Sequence, residues 1–219
     1  MSNLLITIDG PAGAGKTTVS KMLADELGYR YLDTGALYRA VAYQVRAAGI
    51  SAEDEGALCH LCDALRLRLE DSRLIADGTD ITDRIRSPEI SMLASAVSAR
   101  PVVRRALLTL QREIGRAGAL VAEGRDMGTV VFPAADLKFF LDATVSQRAR
   151  RRFAQYGGAH GQTLEQIEAD IRRRDANDSS RDIAPLKPAD DALVIDSTAL
   201  TARQVLERML SAVRLRIAK

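Results

Sequence analysis

Tryptophan is absent from this 219-residue chain, aromatic residues make up only 4% of it, and cysteine occurs twice. The formal charge is only +2. A general nucleic-acid binder needs a larger basic excess and aromatic platforms for stacked bases, so these shortages argue against one. No apolar run approaches the roughly 20 residues that span a bilayer. Within three positions the N-terminal residues enter Leu4-Leu5-Ile6-Thr7-Ile8, with neither a basic flank nor a signal-type apolar region. A cytoplasmic location away from membranes is therefore expected. Cys59 and Cys62 form one Cys-x-x-Cys with only His60 beside it. Tetrahedral zinc needs two more ligands, and a redox motif belongs near a thioredoxin-like βαβ unit. The helical spacing of Leu58, Leu61 and Leu65 predicts instead two core-side thiols one turn apart.

What is present describes a globular protein, 47% hydrophobic and 27% charged. Its length suits one α/β domain with a sizeable insertion. Leu4 to Ile8 is an almost wholly apolar run, as a parallel strand buried on both faces requires. Val19, Met22, Leu23 and Leu27 follow with helical spacing, closed by Gly28. Tyr29–Asp33 reads as a second strand and Ala36–Ala48 as a helix stopped by Gly49. Between about residues 64 and 82 the period changes to two at Leu65, Leu67 and Leu69, with Asp71-Ser72 and Asp77-Gly78 as turn signals. This predicts a small antiparallel meander inside an otherwise βαβ chain. Pro88 and Pro101 bracket a further helix, and Val102–Ile114 continues as an amphipathic one. Strands at Ala119–Ala122, Leu137–Leu141 and Ala192–Ile195 complete a doubly wound five-stranded parallel sheet, an α/β fold. Tyr156-Gly157-Gly158-Ala159-His160-Gly161 reads as a mobile loop between two arginine-bearing helices, and His160 receives no role.

Gly10-Pro11-Ala12-Gly13-Ala14-Gly15-Lys16-Thr17 matches the phosphate-binding loop G-x-x-x-x-G-K-[ST] completely, and it lies between an apolar strand and a helix as that loop must. Its glycines let backbone N–H groups cradle phosphates, and the helix N-terminus adds partial positive charge. Gly10 through Thr17, with Thr18, form the candidate ATP site. Lys16 is expected to bridge the β- and γ-phosphates and Thr17 to ligate Mg²⁺. No Asn-Lys-x-Asp or Asp-x-x-Gly arrangement specifies a GTPase switch. Arginines cluster at Arg148, Arg150, Arg151, Arg152 and at Arg172, Arg173, Arg174, Arg181, which suits local anion sites. Any one of them alone reads better as a solvated surface charge, and Arg150, turned about 100° from Arg151 on the helical wheel, keeps that reading.

Three further segments carry a resemblance: Asp33-Thr34-Gly35-Ala36-Leu37-Tyr38-Arg39, Gly124-Arg125-Asp126-Met127-Gly128-Thr129-Val130-Val131-Phe132-Pro133, and Arg174-Asp175 through Asp178 to Arg181-Asp182-Ile183-Ala184-Pro185-Leu186. With the loop they strongly resemble bacterial cytidylate (CMP) kinases over essentially the whole chain, meander included. The resemblance implies a P-loop kinase fold in one domain, residues 1–219. Its core would be 1–34 and 102–219, with a CMP-binding insertion at 35–101 and a short helical lid at 148–165. It implies transfer of phosphoryl from ATP, with Mg²⁺, to CMP or dCMP.

Thr34, Tyr38, Arg39, Ser95, Arg104, Arg125, Asp126, Arg174, Asp178 and Arg181 would bind CMP. Arg39, Arg125 and Arg181 would clamp its phosphate, a task suited to the guanidinium fork. Asp126, with Ser95 and Arg104, would contact the base, and Asp126 would accept from the exocyclic amine that cytosine has and uracil lacks. Arg174 and Asp178, four apart on one helical face, would hold the sugar hydroxyls; an ordinary ion pair between them is the alternative. Lys16, Arg125, Arg148, Arg152 and Arg181 would be catalytic, with Arg148, Arg151 and Arg152 the competing lid arginines. The chain departs from the family in Thr34, where Ser is frequent, and in Glu123, where a shorter Asp is common. The expected partners are ATP and CMP or dCMP alone, with no nucleic acid and no membrane, and the expected state is a monomer. A kinase for UMP, AMP or dTMP, or a P-loop regulatory switch, are the rival readings.

Overall fold

A computed structural model describes residues 3–70, 73–156 and 161–218. In chain order the elements are β1 (Leu5–Asp9), α1 (Lys16–Leu27), β2 (Arg30–Asp33), α2 (Thr34–Ala47), α3 (Glu55–Ala64), β3 (Leu67–Glu70), β4 (Arg73–Ala76), β5 (Thr79–Asp80), α4 (Pro88–Val97) and α5 (Pro101–Gly115). There follow β6 (Leu120–Gly124), a π-helical turn (Met127–Val131), β7 (Leu137–Asp142), α6 (Val145–Tyr156), α7 (Leu164–Ser179), β8 (Leu193–Asp196) and α8 (Ala202–Ile217). The Asp71-Ser72 turn and positions 157–160 of the expected loop lie outside the described residues.

Five strands form one sheet in the order β2-β6-β1-β7-β8. β1 is central because its run is apolar on both faces: Ile6, Thr7 and Ile8 are fully buried. It pairs in parallel with β6, from Leu5 opposite Leu120 to Asp9 opposite Gly124, and with β7, from Ile6 opposite Leu137 to Asp9 opposite Phe140. Val19, Leu23 and Ala24 of α1 and Val205, Leu206, Met209 and Val213 of α8 join Ile6, Ile8, Val121, Phe139 and Leu141 in one core. Burying each side chain the size of Leu or Ile contributes about 1.5–3 kcal/mol. β8, expected as a core strand, is the sheet's edge and buries only Ile195 of its four residues, with Leu193 and Val194 exposed.

The chain divides into two compact units, Met1–Leu32 with Gly115–Lys219, and Asp33–Ile114. The 35–101 segment lies inside the second. There β3, β4 and β5 form the expected antiparallel meander. Its Leu74, Ile75, Ala76 and Ile81 are buried, and α2 carries its buried Leu37, Ala40, Val41 and Val45 on one stripe. The cysteines correct the sequence reading. Cys59 is exposed and Cys62 half-buried, because Leu58 is the only buried residue of α3. Cys59 is turned about 100° from it, and its thiol lies 3.7 Å from Oδ2 of Asp63.

Candidate active site

In the first unit, β1 delivers the chain into the loop at Gly10, where φ is 148° and an added Cβ would sit 2.0 Å from the Leu141 carbonyl oxygen. No side chain fits there, so the loop entrance requires glycine. Gly15, at φ 96°, caps α1 without a side-chain acceptor. The helix's first N–H groups therefore depend on another acceptor, such as an anion. Lys16 is buried, and its ammonium donates to the carbonyls of Gly10 at 2.7 Å and Pro11 at 2.8 Å. Burial and the nearby Arg125 cation push its pKa down to about 7, against the attraction of Glu123, Asp9 and Asp178. Thr17 and Thr18 are exposed on the first turn of α1.

Because Asp9 is the register partner of Gly124, Arg125 and Asp126 leave the sheet at the same edge as the loop. Arg125 Nε donates to Oδ2 of Asp178 at 2.8 Å, and Nη1 to the Gly124 carbonyl. Burial alone would raise the Asp178 pKa, but Arg125, Arg181 and Arg174 together hold it below the usual carboxylate range. Arg181 Nε donates to the Asp178 carbonyl at 3.3 Å. The structure thus gathers Lys16, Arg125, Asp178 and Arg181 and adds Asp9, whose carboxylate accepts from the amides of Met127 and Gly128. Desolvation pushes Asp9 up to about 6, with the Asp126 charge adding to it. Asp126 itself is buried.

The arginines of α6 sit on the loop's other flank. Arg148 is buried; it donates to the carbonyls of Ala143 at 2.8 Å and Ala12 at 3.0 Å, and pairs with Asp175 at 2.7 Å. Arg151 donates to the Ala14 carbonyl, the Ser197 hydroxyl and the Ser197 and Leu200 carbonyls. Both therefore brace the phosphate-binding loop. Arg152 and Arg174 are half-buried. Asp178 pairs with Arg125 at 2.8 Å, and the charge of Arg174, four residues earlier on the same helix, acts on it too.

The second unit gathers the rest. Asp33 caps α2 by accepting the Ala36 amide through Oδ1 at 2.9 Å, and its Oδ2 holds Arg39 Nη2 at 2.8 Å. Gly35 leaves room for this, since a Cβ there would be 3.0 Å from Arg39 Nη1. Thr34 and Ser95 are buried. The Arg104 guanidinium lies over the Tyr38 ring at 5.9 Å and donates to the Ser98 carbonyl at 3.2 Å. Ser98 in turn donates to the Ser95 carbonyl, so Tyr38, Ser95 and Arg104 are one connected group.

The family model described as cytidylate kinase matches residues 6–215 of this chain. The chain belongs to the cytidylate kinase family. A cytidylate kinase of Geobacter sulfurreducens is 51% identical, covering 96% of this chain and 93% of the relative. One of Citrifermentans bemidjiense is 47% identical, covering 100% and 96%. A solved gluconokinase from Sinorhizobium meliloti shares the fold at 15% identity, covering 99% of this chain and 95% of its own, with a TM-score of 0.51. No helix among the described residues is long and apolar enough to cross a membrane.

Sequence reading of this kinase family member missed Asp9, Asp33, Asp175 and Tyr31. Asp33 carried a usable signal, a capping residue immediately before a helical pattern. Asp175 stands in a motif that carries the resemblance, but its pairing with Arg148, like that of Asp9 with Met127 and Gly128, is hidden because the partners are distant in sequence. Tyr31 donates its hydroxyl to Glu123 Oε1 across β2 and β6, a pairing visible only once the strand order is known.

Proposed function

We propose that the chain transfers the γ-phosphoryl group of ATP to CMP or dCMP, giving ADP and CDP or dCDP. The observation that carries this reading is the register of Asp9 with Gly124, which sets a complete phosphate-binding loop beside Arg125 and Asp126. In a direct in-line displacement, a phosphate oxygen of CMP forms the new bond to the γ-phosphorus as the bond to the β-bridging oxygen breaks, and ADP leaves. No covalent enzyme intermediate is needed.

Gly10–Thr18 would hold ATP, with Lys16 leaving its carbonyl partners for the β- and γ-phosphates. Thr34, Tyr38, Arg39, Ser95, Arg104, Arg125, Asp126, Arg174, Asp178 and Arg181 would bind CMP. A carboxylate at Asp126 accepts from cytosine's amine, whereas a uracil carbonyl there would meet a second acceptor. Arg148 and Arg152, four apart on one face of α6, would act on the transferring phosphoryl group, with Arg151 the competing lid arginine; Arg148 and Arg151 also brace the loop backbone.

Mg²⁺ fits the oxygen donors here, the exposed Thr17 hydroxyl and the buried Glu123 carboxylate steadied by Tyr31. No group of three or more His, Cys, Asp or Glu among the described residues could hold a metal by itself, which suits an ion that arrives with nucleotide phosphates. When bound, it would neutralise phosphate charge. We extend the reading to a cytoplasmic monomer that uses small-molecule substrates and neither nucleic acid nor membrane. An ADP-release assay over CMP, dCMP, UMP, AMP and dTMP tests the function. CMP and dCMP are expected to stimulate ATP turnover most. Preference for another monophosphate overturns the substrate, and ATP hydrolysis indifferent to every acceptor would indicate a regulatory switch.

A further inference from the structure

Asp9 ends the strand that feeds the phosphate-binding loop, and no role proposed above uses its carboxylate. The residue is 4% exposed. Oδ1 accepts the Met127 amide at 2.9 Å and Oδ2 the Gly128 amide at 2.8 Å. These amides open the π-helical turn Met127–Val131, whose capping residue, Asp126, makes no side-chain cap bond. Helix-start N–H groups buried without an acceptor are costly, and two charge-assisted bonds to one carboxylate satisfy both. The anchored amides lie one and two residues beyond Asp126, and two and three beyond Arg125.

On its other side Asp9 is bonded to Gly10, whose carbonyl receives the Lys16 ammonium. The Leu141 carbonyl crowds Gly10 so closely that no Cβ fits, so the loop entrance has little room to follow a displaced neighbour. One side chain therefore ties the start of the triphosphate cradle to the turn that carries Arg125 and Asp126. Strand pairing alone ends at Gly124 and does not control the residues after it.

We infer that Asp9 is a positioning residue for phosphoryl transfer: it fixes where Arg125 and Asp126 stand relative to Gly10 and Lys16. The inference rests on the proposed roles of those four residues. Asparagine has nearly the same shape, but only one acceptor oxygen; its NH₂ group would face one of the two amides donor to donor. In-line transfer is sensitive to displacements of about 1 Å, at roughly a hundredfold in rate.

The test combines Asp9→Asn kinetics with amide hydrogen exchange. In the unmodified protein, Met127 and Gly128 amides are expected to exchange slowly, and in Asp9→Asn at least one should exchange at least about tenfold faster. Turnover should fall about 10- to 100-fold with the KM for ATP changed less than about threefold, and the preference for CMP over UMP should shrink. Fast exchange of both amides in the unmodified protein overturns the inference even if the variant does not fold. A variant that is less stable, yet keeps the turnover and base preference of its folded fraction, reduces Asp9 to an ordinary cap and also overturns it. If the unmodified protein does not phosphorylate CMP, the functional reading fails instead, a result distinct from an active protein whose Asp9→Asn variant is unchanged.

Discussion

Arg125 and Arg39 are each held by one aspartate at 2.8 Å, but in different surroundings. In the first unit, Asp178 is nearly inaccessible, its side chain 6% exposed, and it shares its charge with Arg181 and Arg174. In the second, Asp33 and Arg39 remain about a quarter exposed, and Asp33 divides its oxygens between the guanidinium and the first turn of α2. A buried pair cannot lose one member cheaply, because the survivor keeps its desolvation cost. A pair whose two members both reach water, as Arg39 and Asp33 do at 26% and 25% exposed, loses less; Arg125 is 22% exposed, so the difference lies in the carboxylates. The first unit thus holds its charges in a fixed, mutually dependent group, whereas the second holds an arginine that can be released with little loss of stability.

The largest expected effect breaks the first group at its centre. Lys16→Ala should lower turnover by at least about a thousandfold while circular dichroism shows the fold intact; residual activity within tenfold would remove Lys16 from the chemistry. Asp178→Ala comes next, costing about 1.5–3 kcal/mol in urea unfolding, because the Arg125 guanidinium, 22% exposed, loses its charge-assisted partner while still donating to the Gly124 carbonyl. Asp33→Ala should cost only about 1 kcal/mol, chiefly the lost α2 cap, since an ion pair that reaches water on both sides adds little. If Asp33→Ala proves the more destabilising of the two, the contrast between the units is wrong.

A pH experiment sharpens the same contrast. Lys16 is pushed down to about 7 from 10.5, so the penalty for burying its cation is fully present below about 7 and fades as the pH rises toward 10.5. The stability advantage of Lys16→Met over the unmodified chain should therefore be largest at or below pH 7 and shrink by pH 9.5. An advantage that is flat across that range would show that Lys16 is not desolvated. The smallest expected effect is that of Cys59→Ser, within about 0.5 kcal/mol of the unmodified chain, since the thiol is exposed.

Elements whose information is local were readable from the sequence. The apolar run of β1, the glycines of the loop and the two-residue period of the meander each dictate their own backbone, and the five parallel strands with an antiparallel insertion are the fold observed. Reading failed where burial depends on distant partners. Cys59 and β8 both carry apolar patterns, yet neither pattern reveals whether another element covers it. The spacing of Arg148 does not reveal that its guanidinium bonds the carbonyls of Ala12 and Ala143 and pairs with Asp175. Asp9 is the sharpest case: a carboxylate ending a hydrophobic strand gains its meaning only from the amides of Met127 and Gly128, more than a hundred residues away.

The central claim is that this family member phosphorylates CMP and selects it through Asp126. The most direct test is the ratio of kcat/KM for CMP over UMP, measured for the unmodified chain and Asp126→Ala together. A hydrogen bond to a charged group is worth about 1.5–3 kcal/mol, or roughly 10- to 100-fold. The account predicts a preference for CMP of at least that size, collapsing toward unity in the variant while the KM for ATP holds. A preference that survives Asp126→Ala unchanged would contradict it.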